Sequence, residues 1–268
     1  MIDGNLVFLK LGGSLITDKK KPHSARLDHI GRLAAEIKHA LRQRPGMKLV
    51  IGHGSGSFGH IAARAHGTRE GVFSLPQWQG FVEVWREARA LNQIIVEQLA
   101  DADLPVIAFP PSATLISKQH STSAWFTQPI TRALNAGLIP LINGDVVFDE
   151  KIGATIFSTE ELFQALAENL TPSAVLLAGI EEGVYRDYEN SQHLIKIITP
   201  ATFQAIRQYL DGSTAVDVTG GMLQKVEILL QMVEKFPQCY GQIFSGIVPG
   251  NLVKALSGEK IGTLLRSE

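Results

Sequence analysis

Three stretches of the chain set glycines beside a basic side chain: KLGGSLITDK at Lys10–Lys19, GHGSGSFGH at Gly52–His60 and DVTGGMLQK at Asp217–Lys225. Glycine lets the backbone approach a ligand, so successive N–H groups can point at one anion, and a Lys or His adds positive charge. Such sets hold phosphate oxygens whose charge grows while a phosphoryl group moves. Together the three point to phosphoryl transfer.

Each element also has a plainer reading. Gly12, Gly13 and Ser14 could form only a tight turn after an apolar run. Lys10 argues for more, because an unpaired ammonium inside a buried strand is costly and a phosphate would relieve that cost. Lys19 stands with Lys20 and Lys21, where a solvated loop and a phosphate contact are both open. Gly54, Gly56 and Gly59 fit the G-x-G-x-x-G spacing of dinucleotide sites. That fingerprint belongs to the first strand-helix turn, with an acid ending the next strand, whereas this loop follows the second strand and AARAHGTREG after it is not a strand. The loop is therefore read as a phosphate cradle, with His60 on the helix that follows. In the third stretch Met222, Val226, Leu229, Leu230 and Val233 share one helical face, Lys225 flanks it, and Thr219 is a suitable N-cap. Lys225 can reach back toward the helix N-terminus, where the dipole favours anions.

The elements that must position these groups alternate between strand and helix. Leu6 to Leu11, Lys48 to Ile51, Pro105 to Phe109, Leu138 to Ile142 and Ala174 to Ala178 are short apolar runs bounded by Gly, Pro or Asn, as buried parallel strands are. A helix with its apolar face on Leu27, Ile30, Leu33, Ala34, Ile37 and Leu41 is expected after the first strand, capped by Asp28 or Ser24. A long helix follows over about 77–99, then a hairpin turning near Asp149 to Gly153, and helices over about 160–169 and 201–209. The strand CYGQIFSGI, a short helix after Pro249 and a strand at Ile261 to Leu265 close the chain. With no repeat or flexible linker, a single two-lobed α/β domain is expected.

Composition sets bounds on function. The 268 residues are 45% hydrophobic and carry a formal net charge of −1, so no global field recruits nucleic acid or anionic lipid, and the basic groups must act locally. The single cysteine, Cys239, allows no internal disulfide and reads as a buried structural thiol in a reducing cytoplasm. No leader pattern is seen, nor any run near the ~20 apolar residues of a membrane span, so membrane insertion and secretion are not expected. No spacing suggests a dedicated metal-ligand set.

At KLGGSLITDK, HGSGSFGH, NGDVVFD, GVYRD, DVTGGMLQK and VPGN the chain resembles the amino acid kinase superfamily along essentially its whole length. The G-S-F-G-H ending and the Lys of ITDK narrow the likeness to the isopentenyl phosphate kinase family. The resemblance implies a three-layer αβα sandwich around an open, mostly parallel sheet, a homodimer, and ATP with the Mg2+ it carries. It also implies an acceptor lobe over about 1–145, a nucleotide lobe over about 146–268, and conversion of isopentenyl phosphate to its diphosphate in an alternative mevalonate route. Fosfomycin kinase shares much of the pattern, so another small phosphate or phosphonate as acceptor stays open, as does a catalytically weak nucleotide-binding regulator.

By the same resemblance Lys10, Gly12, Gly13, Ser14, Gly56, Ile180, Gly221 and Lys225 hold ATP. Ser55, Gly59, His60, Gly144, Asp145 and Thr159 face the acceptor, and Lys10, Lys19, His60 and Lys225 are the catalytic set. Two places depart from the family pattern: Ser158, Thr159 and Glu160 stand where many members have S-G-D, and Ala178, Gly179 and Ile180 where many have G-T-D. On the long helix Trp78, Phe81, Val82, Trp85 and Leu91 form an apolar stripe, which suits the core, and some of these side chains, with Phe81 and Trp85 the ones to truncate as a test, are expected to wall a prenyl tail.

Overall fold

Strand β1, Leu6–Leu11, is buried at every position, and its alternation sorts the molecule into layers. Leu6 and Phe8 face one hydrophobic core, whereas Val7, Leu9 and Leu11 face another on the opposite side of the sheet. Successive strand residues point to opposite faces, so one apolar run can fill both cores. The computed structural model describes residues 5–187, 192–210 and 221–268.

After β1 come α1 (Gly13–Ile16), α2 (Leu27–Gln43), β2 (Lys48–His53), α3 (Gly56–His66), α4 (Leu75–Asp101), β3 (Val106–Ala108), β4 (Leu115–Lys118), β5 (Ser121–Trp125), α5 (Gln128–Asn135) and β6 (Ile139–Asn143). The hairpin β7 (Asp145–Asp149) and β8 (Gly153–Phe157) follows, then α6 (Thr159–Leu170), β9 (Ala174–Gly179), β10 (Val184–Asp187), β11 (Gln192–Ile195) and β12 (Ile197–Ile198). The remainder is α7 (Pro200–Leu210), α8 (Gly221–Lys235), β13 (Tyr240–Ser245), α9 (Asn251–Leu256) and β14 (Thr263–Leu265).

The main sheet has eight strands in the order β12-β14-β13-β9-β1-β2-β6-β3, parallel except where β13 meets β14. Residues of α6, α7 and α8 cover one face and those of α2, α4 and α9 the other, giving the αβα sandwich. A four-stranded sheet, β5-β4-β7-β8, packs its Val146, Ala154 and Ile156 on Ala62 and Ala63 of α3 and Phe81 and Val84 of α4.

Three local expectations need correction. Neither Asp28 nor Ser24 caps α2; its N-cap is Arg26, without a side-chain cap bond, and Asp28 lies in the first turn, where it suits the helix dipole. The last strand is expected at Ile261 and begins at Thr263, antiparallel to β13. The segments β4, β5 and β10 to β12, too short for periodicity to register, are strands formed by tertiary pairing. The expected N-cap Thr219 lies outside the described residues.

Helix α6 is held at its start by a capping box. The Ser158 Oγ accepts from the Glu161 N–H at 3.2 Å, and the Glu161 carboxylate accepts from the Ser158 N–H at 2.6 Å. Arg69 clamps the same carboxylate at 2.7 Å, tying α6 to the loop after α3. One turn further, Phe163 is fully buried with its ring 5.1 Å from that of Phe8 on β1. Replacing Phe163 by Ala should lower unfolding free energy by about 3–5 kcal/mol. Urea unfolding should show this as a lower midpoint at unchanged slope.

Candidate active site

Strands β9, β1, β2 and β6 are parallel neighbours, so their carboxyl ends meet along one edge, and the hydrogen bonding runs one residue past each. The N–H of Gly12 donates to Ala178, that of Gly54 to Leu11 and that of Gly144 to His53, at 2.8, 3.2 and 3.1 Å. Four turns thus open side by side, where open α/β sheets place their ligands. They frame a cavity of about 360 Å3 lined by Lys10, Gly12, Gly13, Ser14, Lys19, Ser55, His60, Gly144, Thr159, Ile180, Gly221 and Lys225, among others. Twelve of the residues expected in the site therefore share one space, although they come from seven parts of the chain.

Lys10 has the parity of Leu6 and Phe8, so its side chain leaves β1 on the α6 face, where its ammonium forms a buried ion pair with Glu160. Burial opposes the charge on Glu160, but Lys10 and, next, Lys225 outweigh it and hold the carboxyl below its usual range. One oxygen of Glu160 bonds Lys10; the other is buried and has no hydrogen-bond partner. The cost of a lysine inside a strand is thus met by an acid, with a second lysine nearby. Sequence reading treated Glu160 only as a departure from a family turn and missed this role. The signal was present: a buried lysine calls for an acid, but Glu160 and Glu161 stood side by side, and the capping pattern claims only the second.

The remaining expected residues lie close by. Gly56 does not line the cavity; it is buried behind it, against Gly13 and Thr17. Gly59 and Asp145 line a separate recess of about 20 Å3, room for roughly one water, which shares Ser55, His60, Gly144 and Ile156 with the large cavity. Its apolar wall is Ala63, Val84, Ala88 and Ile156. Phe81 and Trp85 do not line it. Phe81 sits in the core beneath, edge-on to Trp78, and Trp85 lies against Arg89, so the helix presents smaller side chains to the recess than expected. Thr159 reaches the cavity, and its hydroxyl is donated to the carbonyl of His53 at 2.7 Å. Asp217 lies outside the described residues.

Two further ionisable groups are buried behind these turns. Asp145 accepts from the N–H groups of Ser112 and Val146, yet burial pushes it up to about 6. His53, fully buried at the end of β2, has the parity that turns it toward α4. Its Nδ1 faces the Gly54 carbonyl at 3.1 Å and its Nε2 faces the Asn92 amide nitrogen at 3.0 Å. A neutral ring protonated on Nδ1 satisfies both contacts. Burial, and more weakly the charge of Lys10, drive the imidazole down to about 4 against the bond to Gly54. Among the described residues no three His, Cys, Asp or Glu side chains gather into a metal-ligand set, and no helix is long and apolar enough to cross a membrane. Burial pushes the Cys239 thiol up to about 12, as befits a structural role.

Comparison with known proteins matches the amino acid kinase family over residues 5–244. An isopentenyl phosphate kinase of Methanocaldococcus jannaschii is 35% identical, covering 96% of this chain and 97% of that protein. Another from Methanothermobacter thermautotrophicus is 31% identical over the same shares. A solved structure of isopentenyl phosphate kinase aligns with a TM-score of 0.82 at 28% identity, over 97% of this chain and 99% of that one.

The buried imidazole makes stability depend on pH. Unfolded, His53 takes a proton near 6.5, and folded only near 4. Between those values the unfolded state alone is protonated, so the folded state loses about 3 kcal/mol as pH falls across the window. In urea unfolding at a series of pH values, wild type should therefore lose stability relative to His53→Gln by that order between pH 7 and pH 4. A pH-independent difference would show that the ring titrates normally.

Proposed function

Because the chain belongs to the amino acid kinase family, we propose that it transfers the γ-phosphoryl group of ATP to isopentenyl phosphate, forming isopentenyl diphosphate and ADP. The observation that carries this reading is a single cavity in which two glycine turns on adjacent parallel strands stand beside Lys10 and Lys225 with Glu160 between them. Full-length similarity to proteins named isopentenyl phosphate kinase supports the acceptor.

On this reading the N–H groups of Gly13 and Ser14, with Gly221, receive the nucleotide phosphates beside Ile180, Gly12 holds their turn to the sheet through its bond to Ala178, and Lys10 and Lys225 meet the phosphate charge. Ser55 and His60 receive the acceptor phosphate beside Gly144, whose own N–H is bound to His53, and the recess at Gly59 and Asp145 takes the start of its tail. Gly56 and Thr159 shape the two sides from behind, Thr159 through the His53 carbonyl. A phosphate monoester loses its second proton near pH ~6, so the acceptor is already a nucleophilic dianion and needs no general base. What the site must overcome is repulsion between two polyanions, and Lys10, Lys19, Lys225 and His60 are arranged to do so. Magnesium borne by ATP would neutralise further phosphate charge, and the scattered carboxylates of Asp18, Glu160 and Glu181 around the cavity fit a cation held mainly by nucleotide oxygens. The same reading divides the chain into an acceptor lobe over about 1–145 and a nucleotide lobe over about 146–268, and extends to a homodimer in the cytoplasm.

Assay of the purified protein with ATP, magnesium and a panel of small phosphates and phosphonates, fosfomycin included, should give the highest kcat/KM for isopentenyl phosphate. Preference for another acceptor would move the assignment within the family. Lys225→Ala should lower kcat by about 10^2-fold, the scale of one preorganised donor. Lys10→Ala should do the same and also lower stability, since it strands Glu160 in the interior. His60→Ala should reduce kcat/KM for the acceptor while leaving ATP affinity and Tm near wild type, and His60→Gln should retain more activity because an amide still donates.

A further inference from the structure

The hydroxyl of Thr17 is fully buried and tied on both sides. It donates to the carbonyl of Gly13 at 2.7 Å and accepts from the N–H of Ser57 at 2.9 Å. Gly13 belongs to the turn after β1, and Ser57 to the first turn of α3, directly after Gly54 and Ser55. One oxygen therefore joins the loop read as the donor-phosphate cradle to the loop read as the acceptor cradle. Thr17 itself does not line the cavity, though Leu15, Asp18 and Lys19 do.

The two loops meet as closely as backbones can. A Cβ on Gly13 would lie 2.7 Å from the Gly56 nitrogen, and a Cβ on Gly56, where φ is +51°, would fall within contact distance of the Thr17 side chain. Glycine at both positions leaves the space that the threonine occupies. Thr17 is also the base of the loop carrying Lys19. It pairs with Ala25 across that loop, and the Asp18 N–H donates to the Ser24 carbonyl at 2.9 Å. The far side of the loop returns to α3: the Ser24 N–H donates to the Ser57 Oγ at 3.3 Å, and the His23 ring stacks on Phe58 with centroids 5.3 Å apart.

We propose that Thr17 is a positioning residue for phosphoryl transfer, its hydroxyl fixing the separation of the donor and acceptor phosphate loops, and with it the place of Lys19, without touching either substrate. The proposal rests on the phosphate-transfer reading of the cavity. Two bound polyanions repel, and each is held by its own loop, so whatever joins the loops must resist that repulsion. If the join is loosened, each loop still binds its phosphate, but the reacting oxygen and phosphorus move apart. A misplacement of about 1 Å costs on the order of 10^2 in rate. An ordinary buried hydroxyl that merely satisfies the Ser57 N–H would affect stability alone.

The test compares wild type, Thr17→Val and Thr17→Ser by steady-state kinetics in both substrates. Valine keeps the volume and removes both hydrogen bonds, and serine keeps the hydroxyl. With isopentenyl phosphate as acceptor, Thr17→Val should lower kcat at least ~30-fold with each KM within ~3-fold, and Thr17→Ser should return kcat to within ~5-fold of wild type. Wild-type kcat in Thr17→Val, or equal losses in Val and Ser, would overturn the proposal, as would a loss confined to one substrate's KM. Should Thr17→Val fail to fold, Thr17→Cys replaces it: a kcat at least ~10-fold below Thr17→Ser supports the clasp, and parity overturns it. If wild type prefers a different small phosphate, only the acceptor assignment falls, and the same comparison is read on the acceptor that it does use.

Discussion

The structure turns on the ammonium of Lys10, placed on a central strand where every neighbour is buried. A lone charge there is untenable, and its partner must come from another element with good geometry. Glu160 meets that need from the first turn of α6. The consequences reach outward. The start of α6 is fixed by the Ser158 and Glu161 capping box, Arg69 secures the box from the loop after α3, and Phe163 anchors the next turn on Phe8. The pair that a buried lysine requires is thus also what registers α6 against the sheet and brings the Thr159 hydroxyl onto the end of β2.

A chain with a formal net charge of −1 handles phosphate by concentrating basic groups at one edge of its sheet. The arrangement follows from parallel strands, which put backbone turns from β9, β1, β2 and β6 at the same end, where open α/β sheets place their ligands. Lys19 and Lys225 line the cavity and add charge, while Glu160 pairs the buried Lys10.

The recess end of the cavity is braced by buried polar groups. His53 spans from the Gly54 carbonyl to Asn92 on α4, so it ties the helix behind the small recess to the loop in front of it. Asp145 does the same for the turn at Ser112. Fully satisfied buried networks of this kind rigidify their surroundings. The recess between them is small, and its apolar wall is set by Val84, Ala88, Ala63 and Ile156, with the larger aromatic rings packed into the core below.

The sequence alone determined the strand-helix alternation, because apolar runs of four to six residues and amphipathic stretches of 3.6-residue period record which faces lose water. It also determined the glycine turns at the cavity, since glycine next to lysine is a local signal, and the strands β1, β2, β6 and β9 lie within a residue or two of where their apolar runs end. Short strands such as β4, β5 and β12 were not legible: with two to five residues they have no periodicity of their own, and pairing with distant neighbours creates them. The same held for Glu160, Thr17 and His53. Each acts through a partner far along the chain, 150 residues away for Lys10 and Glu160 and 40 for Thr17 and Ser57. Local spacing carries no record of a contact that exists only once two strands and a helix have packed, so tertiary structure alone decided which acid meets the buried lysine and which hydroxyl joins the two loops.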